Sequence, residues 1–219
     1  MSRSWFWLLG GPNGSGKSTF AATDVFAKLT RTPEAPHELT MINPDVLARE
    51  IRANRPGAGA DEIAREAATR SDSQVHALIG DGKPLLVETV LSTAKFRPCV
   101  IEAKQKNYRF GLVYVILKRP DLNIARVEQR VQLDGHRVDP IKIVERYGKS
   151  LQQLKWFAPQ ADYFSMWDNS KTGGPPELLI EANPQRLLVT PETEAILEDA
   201  NAEPMLKHAI HDLIDVFDA

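Results

Sequence analysis

The residues with the clearest chemical purpose form a glycine-rich run at positions 11–19, Gly-Pro-Asn-Gly-Ser-Gly-Lys-Ser-Thr, which matches the pattern G-x-x-x-x-G-K-[ST]. In such a run the glycines let backbone N–H groups turn inward around phosphate oxygens, and the following helix directs its positive end at the same anion. We expect Lys17 to bridge the β- and γ-phosphates and the Ser18 hydroxyl to bind Mg²⁺. The run therefore predicts a site for ATP or GTP with Mg²⁺, with these nucleotide-binding residues: Gly11, Pro12, Asn13, Gly14, Ser15, Gly16, Lys17, Ser18 and Thr19.

Two carboxylates follow apolar runs further along the chain. Asp45 comes after Asn43-Pro44, where it is either a first-turn carboxylate of a helix capped by Asn43 or the base that accepts a proton from an attacking hydroxyl. These two interpretations are compatible, because a capped helix would fix the carboxylate. Glu88 ends a buried run and needs a partner or a role, since an unpaired buried carboxylate is costly. It could orient water on Mg²⁺, form a structural salt bridge or, with Thr89, bind substrate.

Three arginines are candidates for the charge that develops during phosphoryl transfer. Arg126 and Arg130 share a helix face at i,i+4 spacing, and Arg137 follows in a turn. A planar guanidinium can make two contacts to phosphoryl oxygens at once. We therefore predict a lid over about residues 120–140, with Arg126 binding nucleotide and Arg130 and Arg137 acting in catalysis, although each alone could be a solvated surface residue.

Strand and helix patterns alternate along most of the chain and predict an α/β fold. Apolar runs at 5–9, 39–42, 84–87, 110–117 and 162–166 are typical of strands covered on both faces. Helical patterns lie between them, at 18–29, 46–53, 61–79, 93–106, 122–131 and 140–157. This alternation predicts a three-layer fold of the P-loop kinase type, with a mostly parallel five-stranded sheet in a domain over residues 1–170.

The last 50 residues follow a different pattern. Residues 177–181 and 186–189 predict a short hairpin, and residues 192–219 predict an acidic helix with eight carboxylates and one lysine. We expect residues 171–219 to form a C-terminal appendage.

Composition limits the class of protein further. A single cysteine, Cys99, and the lack of a long apolar run favour a cytoplasmic protein. The net charge of −2 conceals a basic segment, because residues 95–155 hold 14 Lys/Arg and 6 Asp/Glu. Such a segment fits a phosphate-rich ligand, whereas the acidic remainder argues against a nucleic-acid binder of the usual basic kind.

Several motifs together resemble the zeta-toxin family of P-loop kinases, in its short, stand-alone members. They are residues 10–19, 42–45 (Ile-Asn-Pro-Asp), 87–92 (Val-Glu-Thr-Val-Leu-Ser), 125–130 (Ala-Arg-Val-Glu-Gln-Arg), 135–140 (Gly-His-Arg-Val-Asp-Pro), Arg146-Tyr147 and Ser150-Leu151. The resemblance covers about residues 5–170.

This resemblance implies a kinase that phosphorylates a sugar hydroxyl of UDP-N-acetylglucosamine. It makes Lys17 the phosphate-loop lysine, Asp45 the base, Glu88 a substrate-side or metal-side carboxylate, and Arg130 and Arg137 the transition-state arginines. A separate antitoxin is a candidate partner, although the chain begins at its first strand, without the N-terminal helix of the longer toxins.

Two other functions fit the same residues. A polynucleotide 5′-hydroxyl or nucleoside kinase would share the loop, the aspartate and the arginines, but single-strand binding would call for more aromatic residues among the basic ones. An NTP-dependent switch would need only the loop, and the Asp45 carboxylate argues weakly against it.

Overall fold

A computed structural model describes residues 3–30, 39–131 and 138–218 of the 219-residue chain. In this part of the chain seven strands form one sheet: β1 Trp5–Gly10, β2 Thr40–Ile42, β3 Leu85–Thr89, β4 Arg109–Ile116, β5 Tyr163–Asp168, β6 Glu177–Asn183 and β7 Arg186–Val189. The helices are α1 Lys17–Ala21, α2 Asp24–Thr30, α3 Pro44–Asn54, α4 Ala60–Gly80, α5 Arg97–Gln105, α6 Pro120–Val131, α7 Pro140–Phe157, α8 Pro191–Glu198 and α9 Pro204–Asp218.

The sheet has the strand order β2-β3-β1-β4-β5-β6-β7. Its first five strands in this order are parallel to one another. β6 pairs antiparallel with β5, and β7 pairs antiparallel with β6. The chain runs from β1 outward to β2 and later continues on the other side of β1 with β4. In open parallel sheets a ligand crevice lies beyond the carboxyl ends of the strands at such a reversal of strand order. The topology therefore directs the ends of β1, β2 and β3 toward one site.

Helices cover both faces of the sheet, unequally. On one face α4, α5, α7, α8 and α9 pack against alternate strand residues to form the larger core. On the other face α1 and α2 contribute Phe20 and Phe26, which pack with Trp5, Trp7 and Trp167. This confirms the predicted three-layer α/β fold with helices on both sides.

Gly111 shows how closely the second face is packed. A Cβ at this position would lie 2.2 Å from the Trp7 ring, so the indole lies directly across β4. Trp7 also stacks on Trp5, with ring centroids 4.7 Å apart. Packing of this kind fixes β1, the strand that leads into the glycine-rich run.

The predicted helices 18–29 and 93–106 have different bounds in the structure. The first is divided into α1 and α2, because the Thr23 hydroxyl donates to the Phe20 carbonyl at 2.7 Å and accepts from the Phe26 N–H at 3.2 Å. Such local side-chain bonds end one helix and begin the next. The second begins only at Arg97, where Pro98 occupies the first turn, a position that proline favours.

The C-terminal region also differs in two respects from the sequence-based expectation. The hairpin is hydrogen-bonded to β5 and extends the sheet from five strands to seven. The predicted single helix is divided into α8 and α9. The backbone becomes extended at Asp199, which ends α8, and α9 begins at Pro204, which lacks the N–H that a continuous helix would need. The domain boundary at residue 170 stays a prediction. Across the described residues, no helix is both long and apolar enough to cross a membrane.

Candidate active site

The glycine-rich run forms a tight loop between β1 and α1. Gly11, Gly14 and Gly16 have φ values of 143°, 77° and 90°, which a residue with a Cβ rarely adopts. A Cβ on Gly11 would lie 2.0 Å from the Val115 carbonyl oxygen, and one on Gly16 would lie 2.3 Å from the Asn169 amide nitrogen. The glycines are therefore required both by backbone conformation and by close packing.

Side-chain amides hold this loop from outside. Asn123 donates to the Asn13 carbonyl at 2.7 Å, and Asn169 donates to the Ser15 carbonyl at 2.8 Å. Arg146 donates to the Asn13 side-chain oxygen at 3.3 Å. Asn123 of α6, Arg146 of α7 and Asn169 after β5 therefore hold the loop in its shape.

Lys17 lies at the first position of α1 and is buried, with 7% of its surface exposed. Its ammonium donates to the carbonyls of Gly11 and Pro12 at 2.8 and 3.1 Å. Burial lowers the pKa of Lys17 to about 8, an effect that the nearby carboxylates of Glu88 and Asp45 only partly offset. A buried cation with no salt bridge to a described carboxylate is suited to an anionic ligand.

Ser18 and Glu88 form a pair beside Lys17. The Ser18 hydroxyl donates to the Glu88 carboxylate, with distances of 2.9 and 3.2 Å to its two oxygens. Glu88 is 9% exposed and is opposite Leu9 in the register of β3 with β1, which brings the end of β3 beside the loop. Since the hydroxyl proton is bound by Glu88, the oxygen lone pairs of Ser18 are available to a cation.

Asp45 lies in the first turn of α3 and is exposed at a cavity that Lys17, Ser18 and Glu88 also line. The Asn43 side chain caps this helix by accepting from the N–H groups of Asp45 and Val46, at 2.8 and 3.4 Å. Capping fixes the backbone of Asp45, as the capped-helix interpretation requires, and leaves its carboxylate facing the cavity.

The other predicted residues are placed differently from one another. The Thr89 hydroxyl accepts from the Leu91 N–H at 3.0 Å and so shapes the loop after β3. Arg126 donates to the Asn169 carbonyl at 2.7 Å beside the glycine-rich loop, and Arg130 is exposed at the cavity wall. Arg137 lies outside the described residues.

A cavity of about 770 Å³ connects these groups. Among its described lining residues, six carry a positive charge and two carry a carboxylate; they are Lys17, Lys95, Arg126, Arg130, Arg146 and Lys171, with Asp45 and Glu88. Its volume lies within the range of small-molecule sites. The excess of positive charge suits this cavity to anionic ligands.

Several contributors to this site could not be recognised in the sequence. Asn43 is expected there only as a helix cap, but its amide nitrogen also donates to Glu88 at 2.8 Å. Asn123, Asn169 and Arg146, which hold the loop, have no expected role in the sequence. Arg146 stood in a matched motif, which was the one available signal; the contacts of Asn169 depend on how β5 lies beside β4.

The fold, the loop and the cavity together define a P-loop protein of the kinase type. The family model of the zeta toxin matches residues 2–162 of this chain. The protein belongs to the zeta toxin family, and it is a phosphotransferase. A search of curated proteins gives no match.

Solved structures are similar over almost the whole chain. The AvrRxo1-ORF1:ORF2 complex with ATP has a TM-score of 0.67 at 14% identity, over 99% of this chain and 76% of that chain. The PezAT toxin–antitoxin system of Streptococcus pneumoniae has a TM-score of 0.60 at 17% identity, over 100% of this chain and 89% of that chain. At these identities the likeness shows a shared fold.

Proposed function

We propose that this protein binds ATP or GTP together with Mg²⁺ and transfers the γ-phosphoryl group to a hydroxyl of a small anionic acceptor. A UDP-sugar such as UDP-N-acetylglucosamine is the acceptor class that we favour. Residues 1–170 would be the catalytic domain, with the segment at about 120–140 as its lid and residues 171–219 as an appendage.

One observation carries this proposal. A single cavity is lined by the phosphate-loop lysine, the Ser18–Glu88 pair and the exposed Asp45 carboxylate. A switch that only binds and hydrolyses a nucleotide has no need of an acceptor-side carboxylate fixed by a capped helix. A kinase needs one to accept the proton of the attacking hydroxyl.

The residues at the loop fit Mg²⁺. This cation prefers oxygen ligands and is commonly held by one or two protein groups together with phosphate oxygens. The Ser18 hydroxyl would be a direct ligand, and Glu88, which accepts its proton, would bind through water. When bound, Mg²⁺ would neutralise charge on the β- and γ-phosphates.

The proposed reaction assigns one task to each residue. The acceptor oxygen forms a bond to the γ-phosphorus, the bond from this phosphorus to the β–γ bridging oxygen breaks, and the acceptor proton moves to the Asp45 carboxylate. Lys17 and Arg130 would stabilise charge on the transferred group, as would Arg137. Arg126 and the loop N–H groups would hold the remaining phosphates.

Charge supports an anionic acceptor. A nucleoside triphosphate with Mg²⁺ leaves a residual charge of about −2, whereas six cations and two carboxylates line the cavity. Lys95 and Lys171 are ion-paired with Asp72 and Glu177, at 2.9 and 2.7 Å, so their charge is largely offset within the protein. The two phosphates of a nucleotide-sugar would find binding partners in these two lysines, whereas a neutral sugar would not need them.

A separate antitoxin protein is a candidate partner. It is proposed from family membership and from the toxin–antitoxin system among the similar structures.

The proposal is tested by offering the enzyme ATP, Mg²⁺ and a panel of acceptors. The panel contains UDP-sugars, free sugars, nucleosides and 5′-hydroxyl oligonucleotides, and mass spectrometry follows the gain of one phosphate. We expect a UDP-sugar to be phosphorylated. Labelling of the oligonucleotide alone would instead favour a polynucleotide kinase, and ATP hydrolysis without any acceptor product would favour a switch.

A further inference from the structure

Asn43 makes two kinds of contact through one carboxamide. Its oxygen accepts from the N–H groups of Asp45 and Val46, the first at 2.8 Å. Its nitrogen donates to a Glu88 carboxylate oxygen at 2.8 Å. Exchanging the oxygen and the nitrogen would set donor against donor and acceptor against acceptor, so the partners fix the orientation of the amide.

The positions of these residues follow from the sheet. β2 pairs with β3 so that Ile42 is opposite Val87, which places the next residues, Asn43 and Glu88, side by side at the ends of their strands. β3 pairs in turn with β1, which leads into the phosphate loop. Asn43 therefore stands between the helix that carries Asp45 and the carboxylate that contacts Ser18.

The Glu88 carboxylate accepts from two donors at this point. Ser18 is bound to both of its oxygens, and Asn43 is bound to one. Hydrogen bonds to a charged group are stronger than those between neutral groups, and two donors together restrict how the carboxylate can rotate. The amide of Asn43 is therefore placed to restrain Glu88 in the orientation that contacts Ser18.

We propose that Asn43 is a positioning residue, which holds the Glu88 carboxylate at the metal side of the nucleotide and ties it to the helix that carries Asp45. Its function as a helix cap and its function at Glu88 are separable, because they use different atoms of the amide. This inference rests on the proposed binding of a nucleotide with Mg²⁺.

The test compares variants that remove either the contact with Glu88 alone or both this contact and the helix cap. Asn43→Ser keeps a side-chain oxygen that can cap α3 but replaces the amide nitrogen that reaches Glu88 with a hydroxyl one bond shorter, whereas Asn43→Ala removes both groups. Asp139 caps α7 by accepting from the Ile141 N–H at 2.9 Å, so Asp139→Ala serves as a matched control for the loss of a cap.

Each variant is titrated with a non-hydrolysable ATP analogue, once with Mg²⁺ and once with a chelator, and its thermal stability is recorded. The quantity of interest is the Mg²⁺ factor, which is the dissociation constant of the analogue without Mg²⁺ divided by that with Mg²⁺. We expect Asn43→Ser to reduce this factor by roughly tenfold, as for the loss of one hydrogen bond to a charged group. Metal-free binding should stay near that of the wild type, and the melting temperature should fall less than it does in Asn43→Ala.

Three further comparisons sharpen the result. Asn43→Ala should show the same loss of the Mg²⁺ factor together with a lower melting temperature, while Asp139→Ala should show only the lower melting temperature. In a Glu88→Gln background, which already lacks the charge, Asn43→Ser should have no further effect on the Mg²⁺ factor.

The inference is overturned if Asn43→Ser keeps the wild-type Mg²⁺ factor, or if Asp139→Ala loses it equally. It is also overturned if Mg²⁺ does not tighten binding to the wild type. The first two outcomes are distinct from a failure of the proposed phosphoryl transfer, because they concern binding alone, whereas the third would also overturn the proposed binding of Mg²⁺. An enzyme that phosphorylates no acceptor, yet loses its Mg²⁺ factor on Asn43→Ser, would sink the function and support the inference.

Discussion

The two walls of the cavity are built differently. On the donor wall Lys17 and Glu88 are almost wholly buried, and each is hydrogen-bonded to the phosphate loop. On the acceptor wall Asp45 and Arg130 are exposed. A site built in this way is organised in advance for phosphate and remains open where the acceptor would enter. Changes on the donor wall should therefore alter both binding and stability, and changes on the acceptor wall should alter turnover alone.

The largest expected loss of turnover comes from replacing Lys17, on the donor wall. Replacing it with methionine keeps much of its volume but removes the charge that meets the phosphoryl oxygens. We expect Lys17→Met to lower turnover by roughly 10³-fold, as for other groups that stabilise developing charge, and to weaken nucleotide binding as well. Steady-state kinetics with a nucleotide titration would check both. A variant with more than about a tenth of the wild-type rate would remove Lys17 from the mechanism.

A smaller effect is expected at Arg130 on the acceptor wall. Because this arginine would meet charge that arises only during transfer, Arg130→Ala should lower turnover by roughly 10²-fold and leave nucleotide affinity within about twofold. Arg119, which is paired with Asp121 beside the start of α6, provides a matched control in Arg119→Ala. Equal losses of affinity and turnover at Arg130 would make it an ordinary phosphate ligand and weaken the contrast between the walls.

A further effect, on stability rather than turnover, concerns pH. The pKa of Lys17 is lowered from 10.5 to about 8, so the unfolded chain binds more protons than the folded one between these values. Stability of the nucleotide-free protein should therefore rise with pH across this window, through Lys17, by up to about 3 kcal/mol. Below pH 8 the buried charge exerts its full cost.

The matched comparison for this prediction is again Lys17→Met. Denaturant unfolding at several pH values should find the variant more stable than the wild type near pH 7, with the difference shrinking toward pH 10.5. A difference that does not change with pH would mean that burial does not shift this lysine.

The sequence predicted best the part of the site that is formed by one short, continuous segment. The phosphate loop needs only consecutive residues 11–19 between a strand and a helix, so its location and its glycines could be foreseen. Asp45 and Glu88 could be placed because the ends of parallel strands meet at one edge. The five parallel strands were likewise evident from their continuous apolar runs.

The contacts between distant segments could not be foreseen. The pairing of Asn43 with Glu88 depends on the register of β2 with β3, and the contact of Asn169 with Ser15 depends on how β5 lies beside β4. The hairpin was recognised, but its addition to the sheet depends on the antiparallel pairing of β6 with β5. Periodicity carries no information about such neighbours.

The central claim, that Asp45 accepts the acceptor proton in a site already built for the nucleotide, is tested most directly by one single-turnover measurement. Wild-type protein and Asp45→Asn are loaded with Mg²⁺ and ATP at equal occupancy, mixed with a saturating UDP-sugar that the wild type phosphorylates, and quenched over time. We predict equal nucleotide occupancy and a transfer rate at least roughly 10²-fold lower in Asp45→Asn. Equal transfer rates in the two proteins would contradict this assignment and leave Asp45 as a first-turn carboxylate of α3.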